Sequence, residues 1–171
     1  MIEQMRSRRS IRRFQDWPVS AEHVALLQEA LLRAPSARNA RPTRFVMVQG
    51  HARVAPLAAC KPTGAGFLDE APLALVICGD PGISDMWIED CAIAATFAQL
   101  EAHALGLGSC WCQVRGRPHD EEKDAETWVL EHLRLPEGLR VLCILGVGHP
   151  AEQREGWPDS ALAPERVTRV G

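Results

Sequence analysis

The chain has 171 residues, of which 46% are hydrophobic and 24% charged. This length predicts a single domain over residues 1–171, and the ordinary globular composition excludes disordered, collagen-like and coiled-coil proteins. No apolar stretch reaches the roughly 20 residues that a bilayer span requires, and the N-terminal residues lack the apolar region of a secretory signal. We therefore expect a cytoplasmic protein with no membrane partner.

Charge is distributed unevenly along the chain, although the net charge is only −3. Residues 1–57 carry ten Arg and four acidic residues, whereas the acidic excess lies in the remainder. An acidic protein lacks the extended positive face that duplex binding needs, so we expect no nucleic-acid partner. Guanidinium groups bind phosphate or carboxylate oxygens in a bidentate manner. The basic third is thus a candidate site for a compact anion, with a GC-rich genome as the alternative source of its Arg residues.

Helical and extended segments alternate along the chain. Ser20 is the expected N-cap of an amphipathic helix that ends before Pro35, which leaves residues 34–43 as a loop. Segments rich in β-branched residues are predicted strands, and an Ala-rich segment without Gly or Pro is a predicted helix. The predicted strands are residues 44–49, 72–79, 109–114 and 139–147, and the later helices are residues 51–59, 85–105 and 123–133.

The predicted helix over residues 85–105 is apolar nearly all round. Such a helix belongs in the centre of a fold or in a subunit interface. The last twenty residues or so show no periodicity, so we expect this tail to pack on another surface, such as a partner subunit.

Six cysteines are present, and their spacing matches neither a disulfide framework nor a zinc knuckle. We expect reduced core residues and no bound metal, because free cysteine is among the most buried side chains. The exception is the Cys110-Trp-Cys112 pair, whose thiols share one face of the predicted strand. A thiol or metal module built on this pair remains an alternative.

The chemistry-bearing residues concentrate near the N-terminus. The segment Arg8-Arg9-Ser10-Ile-Arg12 has enough donors to hold a phosphate and adjacent ribityl or ribose oxygens. A solvated basic patch is the alternative interpretation. The loop before the first strand adds two hydrogen-bonding side chains, Asn39 and Arg41, among small residues.

These features, in this order and followed by Gly-Leu-Gly-Ser-Cys-Trp over residues 106–111, resemble the FMN-dependent nitroreductase family. The resemblance covers nearly the whole chain and is greatest for compact members of about 170 residues. It implies an α+β fold with a central mixed or antiparallel sheet flanked by helices. It also implies an intertwined homodimer with two FMN sites at its interface and a C-terminal tail, residues 150–171, that wraps the partner subunit.

The resemblance also assigns cofactor-binding roles to nine residues. Four N-terminal residues match positions that hold the phosphate and the pyrimidine edge of the flavin: Arg8, Arg9, Ser10 and Arg12. Two loop residues, Asn39 and Arg41, match positions near the ring. Three strand residues match the segment that lies against the isoalloxazine and places backbone donors near N5: Trp111, Cys112 and Gln113.

Two positions depart from the family pattern. Arg41 stands where many members have Gln, and Ala161 aligns with a tail Lys that reaches the FMN phosphate. Arg154 or Arg166 is a candidate replacement for that charge. No tyrosine is present, so no tyrosine hydroxyl can donate a proton, and the resemblance places the chemistry at the flavin N5 with no catalytic side chain.

The function implied by the resemblance is an FMN-dependent oxidoreductase. It takes hydride from NADH or NADPH and reduces a small acceptor, such as a nitroaromatic or a quinone, by a ping-pong mechanism. A flavin-binding protein of the same fold without turnover is the main alternative, and the loss of the tail Lys at Ala161 favours it.

Overall fold

A computed structural model describes all 171 residues and shows an α+β fold built on one four-stranded antiparallel sheet. The strands lie in the order β1-β2-β4-β3. They are β1 (Thr43–Gln49), β2 (Leu73–Gly79), β3 (Gly108–Gln113) and β4 (Arg140–Gly148). The helices are α1 (Ile2–Ser7), α2 (Ala21–Arg33), α3 (His51–Val54), α4 (Trp87–Ala104) and α5 (Ala125–His132). Short 3-10 helices occupy Ala37–Asn39, Ala55–Cys60, Gly66–Asp69, Asp159–Ala161 and Pro164–Arg166.

The sheet divides the core into two layers. Helices α2 and α4 cover one face, whereas α3, α5 and the 3-10 helix Ala55–Cys60 cover the other. All seven residues of β2 are buried, as expected for a strand that is apolar on both faces. The sheet is antiparallel throughout, and parallel pairing is limited to one bridge between Ser10 and Ser109.

Local signals account for most element boundaries. Ser20 caps α2, since its hydroxyl accepts a hydrogen bond from the backbone N–H of His23 at 3.2 Å. Helix α1 and the 3-10 helices Ala37–Asn39, Gly66–Asp69, Asp159–Ala161 and Pro164–Arg166 are not predicted from the sequence. Helix α1 has six residues and none of them is buried, so it lacks the apolar periodicity that identifies a helix.

Helix α4 packs its Ala and Cys face on the sheet and leaves apolar residues on its other face. Ile93 and Phe97 are 38% and 40% exposed. Together with Met1, Met5 and Leu100 they line an apolar groove of about 700 Å³ between α1, α2 and α4. No helix in the structure combines the length and apolarity needed to cross a membrane.

Strand β3 forms one edge of the sheet, and the segment after α1 covers only its first residues. The backbone N–H of Ile11 donates to the carbonyl of Ser109 at 3.0 Å. A Cβ atom at Gly108 would lie 2.7 Å from the side chain of Ile11. Glycine at this position therefore permits the close approach that fixes the N-terminal segment to β3.

We predict that Gly108→Ala lowers the free energy of unfolding by about 1–3 kcal/mol, since the added methyl group overpacks against Ile11. Urea denaturation measures this change. Gly66→Ala is the matched control, because no heavy atom lies within 4 Å of its added methyl group. Equal stability of the two variants would contradict the close packing at Gly108.

Candidate functional site

A cavity of about 600 Å³ lies between the N-terminal segment, the turn over residues 106–109 and residues 150–155. Arg8, Arg9 and Arg154 line it, together with Ser109 at the start of β3. The Nη1 atom of Arg8 is buried and has no hydrogen-bond partner. A buried guanidinium nitrogen without a partner is costly, so this cavity suits a ligand that presents anionic oxygens.

Arg9 fixes the C-terminal segment to the same cavity. Its Nη1 donates to the carbonyl of Glu155 at 2.7 Å, and its guanidinium lies 4.6 Å from the ring centroid of Trp157. The tail expected to wrap a partner therefore begins by packing on its own chain through residues 149–157. Residues 158–171 are almost entirely exposed, and their contact with a partner stays a prediction.

Glu152 connects three parts of the cavity wall. Its carboxylate accepts hydrogen bonds from the backbone N–H groups of Arg12 and Arg13 at 2.6 and 3.3 Å and from Nε of Arg154 at 3.0 Å. The Arg12 hydrogen bond, followed by the Arg154 guanidinium, holds the pKa of this carboxyl below its ordinary value. Glu152 thus places the Arg154 side chain against the N-terminal segment.

A serine and a histidine close the rim of the cavity near the end of α4. The hydroxyl of Ser7 lies 2.8 Å from Nε2 of His103, and both residues line the cavity. Both side chains therefore belong to the wall that also contains Arg8.

The outer edge of β3 extends from this cavity with free backbone groups. Because the Ser109 carbonyl points outward to Ile11, the alternation of an antiparallel strand directs the backbone groups of Trp111 and Gln113 outward as well. Gln113 lies four residues beyond Ser109, or about 13 Å along the strand. The edge therefore offers a row of donors and acceptors that leads away from the anion cavity.

The side chains of β3 alternate between the two faces of the sheet. Trp111 packs on the α4 layer, and its Nε1 donates to Oε1 of Gln113 at 2.9 Å. Cys110 and Cys112 point into the opposite layer, where both are buried, so the expectation that their thiols share a face is confirmed. The backbone groups of Cys112 point to β4, and its thiol points into the core. Neither is therefore available at the outer edge of β3.

Burial dominates the ionisation of most of the thiols. It raises the pKa of Cys110 and raises the pKa values of Cys78 and Cys91 to about 12. Cys112 differs, because a hydrogen bond from the Cys60 thiol and the nearby Lys61 ammonium lower its pKa. No group of three or more His, Cys, Asp or Glu side chains is arranged to hold a metal ion.

The loop before β1 has a strained but well-supported backbone. Arg38, Asn39 and Arg41 have φ angles of 51°, 54° and 52°, which lie in the left-handed region that side chains rarely adopt. Asp90 of α4, only 2% exposed, accepts the backbone N–H of Ala37 at 2.8 Å. This buried carboxylate holds the loop in place, so a contact within the fold supports the strained backbone.

Two distances separate this loop from the Arg8 cavity within one chain. Asp90, below the loop, precedes His103, at the cavity rim, by thirteen positions, or about 20 Å along α4. The loop also leads into β1, which lies three strand spacings, about 14 Å, from β3. The structure therefore does not bring Asn39 and Arg41 together with the N-terminal site residues in a single chain.

Comparison with known proteins agrees with this arrangement. The profile of the Nitroreductase family matches residues 5–65 and 61–149. The chain belongs to the nitroreductase family. The solved structure of an FMN-dependent nitroreductase from Clostridium difficile is 40% identical, aligns with 100% of this chain and 99% of its own, and gives a TM-score of 0.96.

Two curated proteins are also similar over two thirds or more of their length. A protein of Archaeoglobus fulgidus, provisionally named NADH dehydrogenase/NAD(P)H nitroreductase, is 31% identical over 98% of this chain and 96% of its own. The protein of Bacillus subtilis named FMN reductase (NAD(P)H) is 29% identical over 90% of this chain and 67% of its own. The resemblance inferred from the motifs is thereby confirmed at the level of family and fold.

Of the two tail arginines named as candidate replacements for the family's tail Lys, only Arg154 lines the cavity within this chain. Arg154 lines the cavity beside Arg8, whereas Ala161 and Arg166 lie in the exposed part of the tail. Sequence analysis named Arg154 only as an alternative and missed Glu152 and His103. No local pattern identifies these two residues, since each reaches the site through contacts distant in sequence.

We predict that Glu152→Ala speeds amide hydrogen exchange in a peptide containing Arg12 and Arg13, because both backbone donors lose their acceptor. Exchange followed by mass spectrometry measures this.

The ionised carboxylate stabilises the folded state above the ordinary pKa of 4.5. That stabilisation is lost as the pH falls through the lowered pKa of Glu152 in the folded protein. Acidification should therefore bring the stability of the native protein closer to that of the variant.

Glu155→Ala is the control, because only the backbone carbonyl of Glu155 takes part in the contact with Arg9. Exchange at residues 12–13 should be unchanged in that variant. Identical exchange in the native protein and Glu152→Ala would show that the carboxylate does not hold the N-terminal segment.

Proposed function

We propose that this chain is an FMN-dependent oxidoreductase that takes hydride from NADH or NADPH and reduces a small acceptor such as a nitroaromatic or a quinone. The observation that carries the proposal is the unpartnered, buried Nη1 atom of Arg8 at one end of the open β3 edge. The names of the similar proteins from Clostridium difficile and Bacillus subtilis support the cofactor and the donor.

The residues along the edge fit a flavin mononucleotide from end to end. Arg8 and Arg154 provide side-chain donors for a phosphate in the cavity, and Ser109 lines the same wall. Ser10 and the main chain of β3 follow in the direction that a ribityl chain would take. Gln113, about 13 Å farther, ends the row with a free backbone N–H suited to the ring nitrogen N5.

Bound FMN would supply the hydride chemistry, since a flavin accepts a hydride and passes electrons onward. The protein contributes orientation and charge. We assign the exposed Arg12 guanidinium to the pyrimidine edge of the ring. Arg12 lies near β3, because its charge partly offsets the rise that burial causes in the pKa of Cys110. Gln113 donates its backbone N–H, and its side chain is held in place by Trp111 on one side and the carbonyl of Arg115 on the other.

A homodimer explains how Asn39 and Arg41 contribute to this site. Because the loop lies far from the β3 edge of its own chain, we infer that it reaches the ring of the other subunit. The apolar groove around Ile93 and Phe97 provides the surface on which two chains would pack. Residues 158–171 are then free to wrap the partner.

The alternative of flavin binding without turnover depended on the charge lost at Ala161. Arg154 fills the cavity wall beside Arg8 and is held there by Glu152. With that charge restored, the case for weakened cofactor binding loses its main support, and we favour an active enzyme.

Association through α4 predicts a particle of twice the chain mass in light scattering. Phe97→Asp places a charge in the groove, so it should yield monomers that lose flavin on dialysis. Leu32→Asp is the control, since Leu32 is 66% exposed and lies outside that groove. Monomeric native protein that retains its flavin would contradict a site shared between subunits.

Turnover is tested on the purified yellow protein. NADH or NADPH should bleach the flavin absorbance, and an added nitroaromatic or quinone should restore it. We expect parallel double-reciprocal plots, because donor and acceptor use the same open face of the ring in turn. Intersecting lines would mean that both substrates bind together.

The thiols are not needed for this reaction. Cys110→Ser and Cys112→Ser should therefore keep turnover within about tenfold of the native rate, less than the roughly 10²–10⁴ lost with a general acid or base. Complete loss of activity with flavin still bound would make the thiols the redox centre.

A further inference from the structure

A second cavity, of about 310 Å³, lies at the other end of the β3 edge from the Arg8 cavity. Two positively charged side chains, Lys61 and Arg117, line it together with Thr63 and Gln113. Pro62 and Pro118 complete the wall, and no large apolar side chain contributes. Gln113 belongs both to this cavity and to the ring end of the proposed cofactor site, so the two are contiguous.

No carboxylate pairs with either charge in this cavity, and the Lys61 ammonium also lies near the Cys112 thiol. Neither Lys61 nor Arg117 has a carboxylate oxygen within 4.0 Å, whereas Lys123 and Arg140 are each paired with a Glu. The acidic residues 120–122 line a neighbouring shallow cavity that also includes Arg117. Lys61 is therefore the charge least influenced by acidic neighbours.

Both basic residues are carried by ordered backbone. Lys61 follows the 3-10 helix Ala55–Cys60, whose last carbonyl lies 3.3 Å from Nδ1 of His119. Arg117 follows Gly116, which has a φ of 69°, and its backbone N–H donates to the carbonyl of Val114 at 3.1 Å. The ordered backbone fixes the positions from which the two cationic side chains extend into the cavity.

We propose that this cavity binds the negatively charged group, such as a carboxylate, of a small aromatic acceptor, and that Lys61 and Arg117 select acceptors by that charge. The proposal rests on the FMN-dependent function proposed above. The volume lies at the lower end of the range for ligand pockets, which suits a substituted single ring. In NADH and NADPH a ribose lies between the nicotinamide ring and the phosphates, so the phosphates are farther from the ring than a ring substituent is. A cation beside Gln113 therefore suits an anionic substituent on the acceptor ring better than it suits the donor phosphates.

Calorimetric titration with benzoate and benzamide, two unreactive molecules of similar shape, tests the proposal on the purified protein. Benzoate should bind at least about tenfold more tightly than benzamide, the lower end of the effect of a charge-assisted hydrogen bond. Lys61→Met and Arg117→Met should each reduce this ratio, and the double variant should abolish it. Arg53→Met is the control, since Arg53 is exposed and lies on α3 outside the cavity.

Kinetics provides the second measurement. With 4-nitrobenzoate and 4-nitrobenzamide as acceptors, the Lys61 and Arg117 variants should raise the KM of the charged acceptor alone. Loss of flavin in these variants would assign the cavity to the cofactor and overturn the proposal. A rise only in the KM of NADH or NADPH would assign it to the donor phosphates and overturn it as well.

The two proposals fail in distinguishable ways. A native protein that binds no flavin contradicts the oxidoreductase function, whereas calorimetry still reports whether benzoate binds. A flavin-loaded, active protein that binds benzoate and benzamide equally contradicts only the anionic acceptor.

Discussion

The unpaired outer edge of β3 is the constraint on which the rest of the site depends. An edge strand exposes backbone donors and acceptors that must be covered, shielded or used. The N-terminal segment covers only the start of the edge, through Ser10 and Ile11, and leaves Trp111 and Gln113 open. That open stretch is flanked by an arginine-lined cavity at one end and by Lys61 and Arg117 at the other. In the proposed arrangement the open backbone groups fix the length and direction of the cofactor, the Arg8 cavity takes its phosphate, and the second cavity takes the charge of a separate acceptor.

The scaffold around this edge is assembled by contacts between distant parts of the chain. Glu152 binds the backbone after Ser10, Arg9 binds the carbonyl of Glu155, and Asp90 supports the loop that holds Asn39. Among these contacts the Asp90 contact is the most buried, so removing its carboxylate would leave the backbone N–H of Ala37 without a partner at the largest cost. The same loop lies at the opposite edge of the sheet from β3, and the homodimer that we propose would bring it to the β3 edge of the other subunit.

Much of the fold could be predicted from the sequence because its signals are local. The Ser20 cap, the apolar β2 strand and the Ala-rich α4 helix each follow from residue type and spacing. The ordered motifs predicted the family, which is confirmed. The contacts of Glu152 and Asp90 could not be predicted, since no local pattern pairs residues so far apart in the chain. The inaccessibility of Cys112 was missed for a related reason: only the strand order shows which way its backbone points.

In the proposed complex a flavin phosphate lies against Arg8 while the ring lies at the far end of the β3 edge. Calorimetry of the flavin-free protein with FMN and with riboflavin, which lacks the phosphate, tests it most directly. FMN should bind the native protein more tightly than riboflavin by about ten- to a hundredfold, the size of one charge-assisted hydrogen bond. Arg8→Ala should remove most of this difference and leave riboflavin affinity unchanged. Equal loss of affinity for both ligands, or no loss for either, would contradict this placement of the cofactor.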